Sequence, residues 1–264
     1  MKLYYKQEVS QYNKKDAFTA LLVTAFLILL PAITLIVRLN FEPSNLYRFI
    51  VMLIYAGFSL IPIMVVLRKK QKLASIGLHR NNLMRATGLG IGFSFIPLGI
   101  SIIMGIMHGW EIVNVDVFFM FLASIFFFAI FEDIVFVGYL QTRLYGLFKN
   151  SIVSILVAAL IFSLMHIPSG LIMGNLSFVD IPTLAFRVFW WFSMHIIFVT
   201  IFRRYFSLIT VIILHVSVNF SSMMWVAHNG LIASYSLYGL LAAAGIFVLY
   251  AHYHEKKRMP HHNK

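Results

Sequence analysis

The chain has 264 residues, 61% of them hydrophobic and 11% charged, with a formal net charge of +12 and no cysteine. A soluble domain carries about 25% charged residues, and one this apolar would expose more greasy surface than a soluble protein tolerates. The composition therefore excludes an ordinary soluble domain, and the missing cysteines exclude disulfides, thiolate metal sites and a cysteine nucleophile.

Apolar runs of about 17–25 residues recur along the chain. They predict an all-α fold, a polytopic membrane bundle of about eight transmembrane helices, at roughly 17–37, 47–67, 83–106, 116–140, 151–167, 183–202, 207–224 and 232–251. One integral-membrane domain over 1–264 accommodates them. The first run, AFTALLVTAFLILLPAITLIV, follows a charged stretch and precedes no small-x-small cleavage site, so a retained anchor is expected rather than a signal peptide. The basic residues lie in short segments between runs, the pattern that sets membrane orientation, and nucleic acid is not an expected partner. With the N-terminus placed in the cytoplasm, only Arg38, Arg48 and Arg187 of the 21 Lys and Arg fall on the far side. A multi-pass protein of the cell membrane with both termini cytoplasmic is the expectation, and the Lys- and Ile-rich usage without cysteine points to a low-GC bacterium.

The third run, GLGIGFSFIPLGISIIMGIMHG, carries the small-xxx-small pair Gly88 and Gly92, which predicts close helix packing. Pro97 predicts a kink. No internal repeat supports an inverted-repeat transporter.

The fourth run ends in FEDIVFVGYL. An ionisable group at mid-bilayer costs about 2.5–3.5 kcal/mol on insertion scales, so Glu132 and Asp133 need a reason to be there. Adjacent helical positions point about 100° apart. One acid can face a substrate while the other braces a neighbouring helix; the bland reading is a pair satisfied by interhelical hydrogen bonds. The fifth run closes on FSLMH, which puts Phe162 and His166 on one face. The seventh contains HVSVN, and His215 and Asn219 again share a face that calls for something polar opposite. His195 in the sixth run reads as core, and Trp190 and Trp191, near Arg187, read as interfacial anchors. The histidines at 252, 254, 261 and 262 read as a solvated tail.

Depth is a difficulty for a shared site. Glu132 lies about fifteen residues, roughly 22 Å, from the outer end of its run, and His166 about fifteen residues from the inner end of its own. Upright helices would separate them by some 14 Å in a core of about 30 Å. A fourth helix running on toward Leu147 would remove the mismatch, and that extension is the expectation.

The sequence contains no H-E-x-x-H, no G-x-S-x-G and no G-x-G-D, and Ser169 in IPSG lacks the preceding glycine of a rhomboid motif. In a wet pocket, Glu132 could take a proton from a water oriented by His166, while His215 and Asn219 donate to the developing oxyanion. The same His/His/Glu set could instead bind a divalent metal such as zinc with an open position. Sequence leaves both open. A proton relay in a transporter is a further, weaker reading.

A paired acid, then F-x-x-x-H, then H-x-x-x-N, with GYLQTRL following the acids, resembles the CPBP family, the CAAX-prenyl-protease and bacteriocin-processing proteins also called Abi. The resemblance runs from Phe131 to Asn219. It implies an intramembrane peptidase in which Glu132 activates water, His166 assists, and His215 with Asn219 stabilises the oxyanion, acting on a peptide or membrane-protein substrate in the lipid bilayer. The family also holds non-catalytic roles, so a bacteriocin self-immunity or membrane scaffold protein is the alternative. The family's first motif is E-E-x-x-x-R, whereas here the second acid is Asp133 and the arginine position is Val137. Arg143 lies about 9 Å further along the axis and is not expected to substitute.

Overall fold

The computed structural model of the protein describes residues 2–29, 45–108, 115–172 and 181–223, and among these there is no strand. The helices are α1 (Lys2–Ser10), α2 (Lys14–Ile28), α3 (Asn45–Arg68), α4 (Leu83–His108), α5 (Val115–Glu132), α6 (Gln141–Phe148), α7 (Ser151–Ile172), α8 (Ile181–Tyr205) and α9 (Leu208–Met223). Two short 3-10 turns, Leu73–Ile76 and Arg80–Asn82, lie between α3 and α4, and a π-helical segment, Asp133–Leu140, joins α5 to α6. Among the described residues, five stretches are long and apolar enough to cross a membrane: Phe49–Arg68, Leu83–Ile103, Ile125–Phe148, Ser151–Pro168 and Leu184–Tyr205. Leu208–Ser221 is apolar but shorter. The predicted eighth run, 232–251, and the second half of the first lie outside the described residues.

The runs at 47–67, 83–106, 151–167, 183–202 and 207–224 match α3, α4, α7, α8 and α9 closely. The fourth differs in the way the depth problem required. It does not stop near residue 140 but continues through the π segment and α6 to Phe148. Lys149, at φ 51, then turns the chain, and the Asn150 side chain accepts from the amides of Ile152 and Val153 to start α7. Glu132 and His166 are equally far along the chain from Lys149. In an antiparallel hairpin of two helices that symmetry puts them at one level.

The central strut of the bundle is this α5–π–α6 helix. Every residue of Asp133–Leu140 is buried. Ile134 and Val137 enter one apolar cluster, with Phe198, Phe202, Val211 and Ile212. Phe131, Val135, Phe136, Tyr139 and Leu144 enter the other, with Leu27, Tyr55 and Phe162. Around the strut, α4 packs on α9 and α7 on α8, and α3 packs directly on α5 of the strut.

The α4–α9 pair shows which glycine the packing needs. A Cβ on Gly90 would lie 2.8 Å from Cβ of Ile213. Beside this contact Ser94 Oγ donates to the Gly90 carbonyl at 2.8 Å, and Thr210 Oγ1 donates across to the Ala86 carbonyl at 3.0 Å. Gly88 and Gly92, the pair singled out by spacing, meet nothing within 4 Å among the described residues. The small residue that lets the backbones approach is the one between them.

The basic segments between helices gather at one end of the bundle. Lys69 Nζ reaches Asp16 Oδ1 at 2.9 Å, Lys149 Nζ donates to the Tyr12 carbonyl at 2.7 Å, and the Leu208 amide donates to the Gly77 carbonyl at 3.0 Å. Asn13 and Asp16 form a reciprocal capping box at the start of α2. Arg143 is buried here. Its guanidinium donates to Gln71 Oε1 at 2.7 Å and Ser75 Oγ at 2.9 Å, and lies over the rings of Tyr12 and Tyr139. Those partners hold it at this end, so it does not stand in for the family arginine beside Glu132.

Candidate active site

Three elements bring the polar residues together in the middle of the helical strut and its neighbours. Glu132 is the last α-helical residue of α5 and Asp133 the first of the π segment. A π turn widens the helix by one residue, and such turns are frequent at functional sites. His166 comes from α7, and His215 and Asn219 come from α9.

Glu132 lies between the two histidines. Its Oε1 is 3.7 Å from Nε2 of His166, and its Oε2 is 3.6 Å from Nε2 of His215. Both separations exceed a direct hydrogen bond, so the carboxylate keeps lone pairs able to take a proton. Asp133 points differently, as adjacent helical positions must. Its Oδ1 is 3.2 Å from Nδ1 of His215, and its side chain is 1% exposed. One acid therefore faces the histidine pair and the other orients a histidine from behind. Glu132 and His166 keep 14% and 15% of their side-chain surface, against 6% for His215.

Each imidazole has one nitrogen engaged away from Glu132. His166 Nδ1 is 2.8 Å from the Phe162 carbonyl. A carbonyl only accepts, so Nδ1 carries the hydrogen and Nε2 presents a lone pair toward Glu132 in the neutral ring. The i, i+4 spacing of F-x-x-x-H is what allows this bond. On His215, Nδ1 faces the Asp133 carboxylate, and the Phe198 ring is tilted against the imidazole at 4.5 Å between centroids. Asn219 follows one turn further along the same face of α9 and is half-buried.

The rings of α7 and α8 interleave beside the site. Trp191 stacks on His166 at 4.5 Å and 23°, Phe162 meets His166 edge-on at 4.6 Å, and His195 stacks on Phe162 at 4.8 Å. Two i, i+4 pairs, Phe162 with His166 and Trp191 with His195, thus form one antiparallel ladder. Trp191 is a wall of the site and not the simple interfacial anchor its neighbour Arg187 suggested. The signal available in sequence was the four-residue spacing from Trp191 to His195, which repeats that of Phe162 and His166. His195 is core, as expected, with no protein partner for either ring nitrogen among the described residues.

Val137, at the family's arginine position, is 1% exposed within the apolar cluster of Phe198 and Val211. As for a metal, among the described residues no group of three or more His, Asp or Glu side chains is arranged to hold one. The Nε2 atoms of both histidines face the Glu132 carboxylate.

Residues 112–221 match the family model described as type II CAAX prenyl endopeptidase Rce1-like. The match supports a CPBP family intramembrane protease. The matched stretch runs from just before α5 to the second turn beyond His215 and so contains every polar residue of the site. The match supports an intramembrane endopeptidase kind of function, and the apolar helices indicate a multi-pass membrane protein. No curated protein and no solved structure matches the chain.

Proposed function

We propose that the protein is an intramembrane endopeptidase that hydrolyses a peptide bond with water activated at Glu132. A water between Glu132 and Nε2 of His166 loses a proton to the carboxylate as its oxygen bonds to the substrate carbonyl carbon. The carbonyl oxygen becomes an oxyanion, which accepts hydrogen bonds from Nε2–H of His215 and from the Asn219 amide. His215 donates from Nε2 while its Nδ1–H is held by the Asp133 carboxylate. Collapse of the tetrahedral intermediate breaks the C–N bond, and Glu132 returns its proton to the leaving amine.

The observation that carries this reading is the placement of Glu132 within 3.7 Å of His166 and 3.6 Å of His215, from three separate helices. The bilayer core is costly for such groups, and the matched family supplies the reaction class. A scaffold or immunity protein would need the shape of the bundle but not the proton-accepting oxygen of Glu132.

Glu132→Gln keeps shape and removes the base. In reconstituted membranes it is expected to abolish cleavage, followed by mass spectrometry of candidate peptides, with unfolding temperature unchanged. Cleavage by Glu132→Gln at the parental rate would overturn the reading. Treatment with a zinc chelator is expected to leave cleavage unchanged, and loss restored by added zinc would replace water activation at Glu132 with metal-assisted hydrolysis.

A further inference from the structure

The α2–α3 pair, away from the candidate active site, joins an apolar groove to a cluster of cations. The groove has a volume of about 410 Å3 and runs along α3, lined by Ile50, Leu53, Ile54, Gly57, Phe58 and Ile61. Phe58 stacks on Phe26 of α2, with centroids 6.1 Å apart and 24° between planes, so the groove follows the contact between the two helices. Gly57 leaves its floor open, since a Cβ there would meet nothing within 4 Å. The lining lies within Phe49–Arg68, a stretch long and apolar enough to cross a membrane.

The groove points toward the basic end. Ile61, Met64 and Arg68 continue the face of Gly57 at spacings of four, three and four residues. Met64 is 47% exposed, and Arg68 is exposed. Gly57 lies eleven residues before Arg68, about 16 Å along the axis. That is close to the depth of one leaflet in a hydrocarbon core of about 30 Å.

Arg68 belongs to a cationic cluster. Lys69 ties the end of α3 to the start of α2 through Asp16 Oδ1 at 2.9 Å and Thr19 Oγ1 at 3.2 Å. Asp16 is the only acid in these two helices, and Lys69 neutralises it. Lys14, Lys15, Arg68 and Lys70 are exposed, with no acidic partner among the described residues. Lys14 and Lys15 open α2, at the end of a helix where its dipole disfavours cations. At the end of α3, the amides of Lys69, Lys70 and Gln71 already donate to the carbonyls of Val65, Leu67 and Val66. The side chains of Arg68 and Lys70 are therefore not needed as caps.

We propose that the α2–α3 pair binds one anionic glycerophospholipid, its phosphate among Lys15, Arg68 and Lys70 and one acyl chain laid along α3 as far as Gly57. Charge and depth together select this occupant. Such a lipid carries an anion at the interface and a chain that ends near the midplane. A second copy of the protein in the same membrane orientation would bring its own basic end against this one. The proposal does not depend on the peptidase reading.

Native mass spectrometry of the full chain in detergent tests it, with dioleoyl phosphatidylglycerol or dioleoyl phosphatidylcholine as titrant. The parent is expected to retain one phosphatidylglycerol and to prefer it at least tenfold. A cation near an anionic headgroup is worth about fivefold in affinity. Lys15→Gln combined with Arg68→Gln is therefore expected to weaken phosphatidylglycerol binding tenfold or more and to remove the preference. Arg80→Gln combined with Arg85→Gln removes equal charge outside the α2–α3 pair and is expected to stay within about twofold of the parent. Gly57→Leu fills the floor without a clash and is expected to weaken both lipids about tenfold. Equal retention of the two lipids by the parent would overturn the proposal. Equal losses in the two double variants would do the same, by making the attraction a property of the whole basic end. Parental phosphatidylglycerol binding by Gly57→Leu would also overturn it, and a simultaneous change from dimer to monomer mass would give the groove to a second copy.

Discussion

Trp191 lies flat on His166, with ring centroids 4.5 Å apart and 23° between planes. Phe162 meets the same imidazole edge-on, and its carbonyl holds Nδ1. His166 is therefore fixed by one hydrogen bond and two rings. An aromatic pair contributes about 0.5–1.5 kcal/mol beyond its buried area, and a loosened catalytic geometry can cost up to about 10²-fold in rate. Trp191→Ala is expected to lower kcat about tenfold or more, while Trp191→Phe, which keeps a stacking face, retains most of it. Steady-state kinetics on both variants checks this. An equal loss in the two would mean that indole bulk, and not stacking, is what matters.

On the proposed mechanism, Asp133 would act on the reaction through His215. Asp133→Asn preserves volume but removes the charge behind the imidazole at 3.2 Å. Turnover is expected to fall about 10²-fold, the scale of losing one oxyanion donor, with the folded state intact. Asp133→Ala also leaves a buried nitrogen of His215 without its acceptor, which costs about 1–3 kcal/mol of stability. Comparing unfolding midpoints of the two variants separates orientation from structure.

Much of the site was legible because membrane helices restrict where polar residues can go. Glu132, Asp133, His166, His215 and Asn219 stand out against apolar runs, and the four-residue spacings placed partners on shared faces. The extension of the fourth helix was legible too, once depth was counted. What was not legible depends on partners in three dimensions. Gly90 looks no different in sequence from Gly88 or Gly92, and only the approach of Ile213 distinguishes it. The π segment has no pattern of its own, since a one-residue widening leaves apolar residues apolar. Helix α1 lies in a charged stretch whose apolar residues, Tyr5, Val9 and Tyr12, are too few to announce a buried face.

The glycine result is testable by substitution at neighbouring positions. Gly90→Val forces branched carbons into Ile213 and is expected to cost about 1–3 kcal/mol, the usual penalty of overpacking. Gly88→Ala meets no neighbour and is expected to be neutral or to stabilise α4 by up to about 1 kcal/mol through helix propensity. Thermal unfolding in detergent distinguishes them. Because α9 carries His215, Gly90→Val is also expected to reduce activity.

The Asp16–Lys69 pair gives the basic end a pH dependence. Burial works to raise the Asp16 carboxyl, but the hydrogen bond and charge of Lys69 and the Asn13 amide outweigh it and hold the group below its usual 3.8. A carboxyl depressed in the folded state stabilises above the unfolded value, and the contribution disappears as pH falls through the folded one. Both side chains are partly solvated, at 33% and 15% exposure, so the effect is under about 1 kcal/mol. Asp16→Asn is expected to lower the unfolding temperature slightly at pH 7 and to match the parent well below pH 3.8. A difference that persists unchanged in acid would assign the loss to the capping box instead.

Restoring the family's arginine is expected to harm this protein. Val137 is buried among Phe198, Val211 and Ile212, with the Asp133–His215 pair already supplying a charge partner near Glu132. A guanidinium placed there must either leave a charge in an apolar cluster or push α8 and α9 apart. Breaking or omitting a partner for a buried charge costs about 3–5 kcal/mol. Val137→Arg is therefore expected to lower stability by several kcal/mol and to give no gain in cleavage, measured by unfolding in detergent and by product formation. If Val137→Arg folded normally and cleaved faster, Glu132 would have the room and the need for an arginine that Asp133 and His215 do not replace, and the division of labour between the two acids would have to be reassigned.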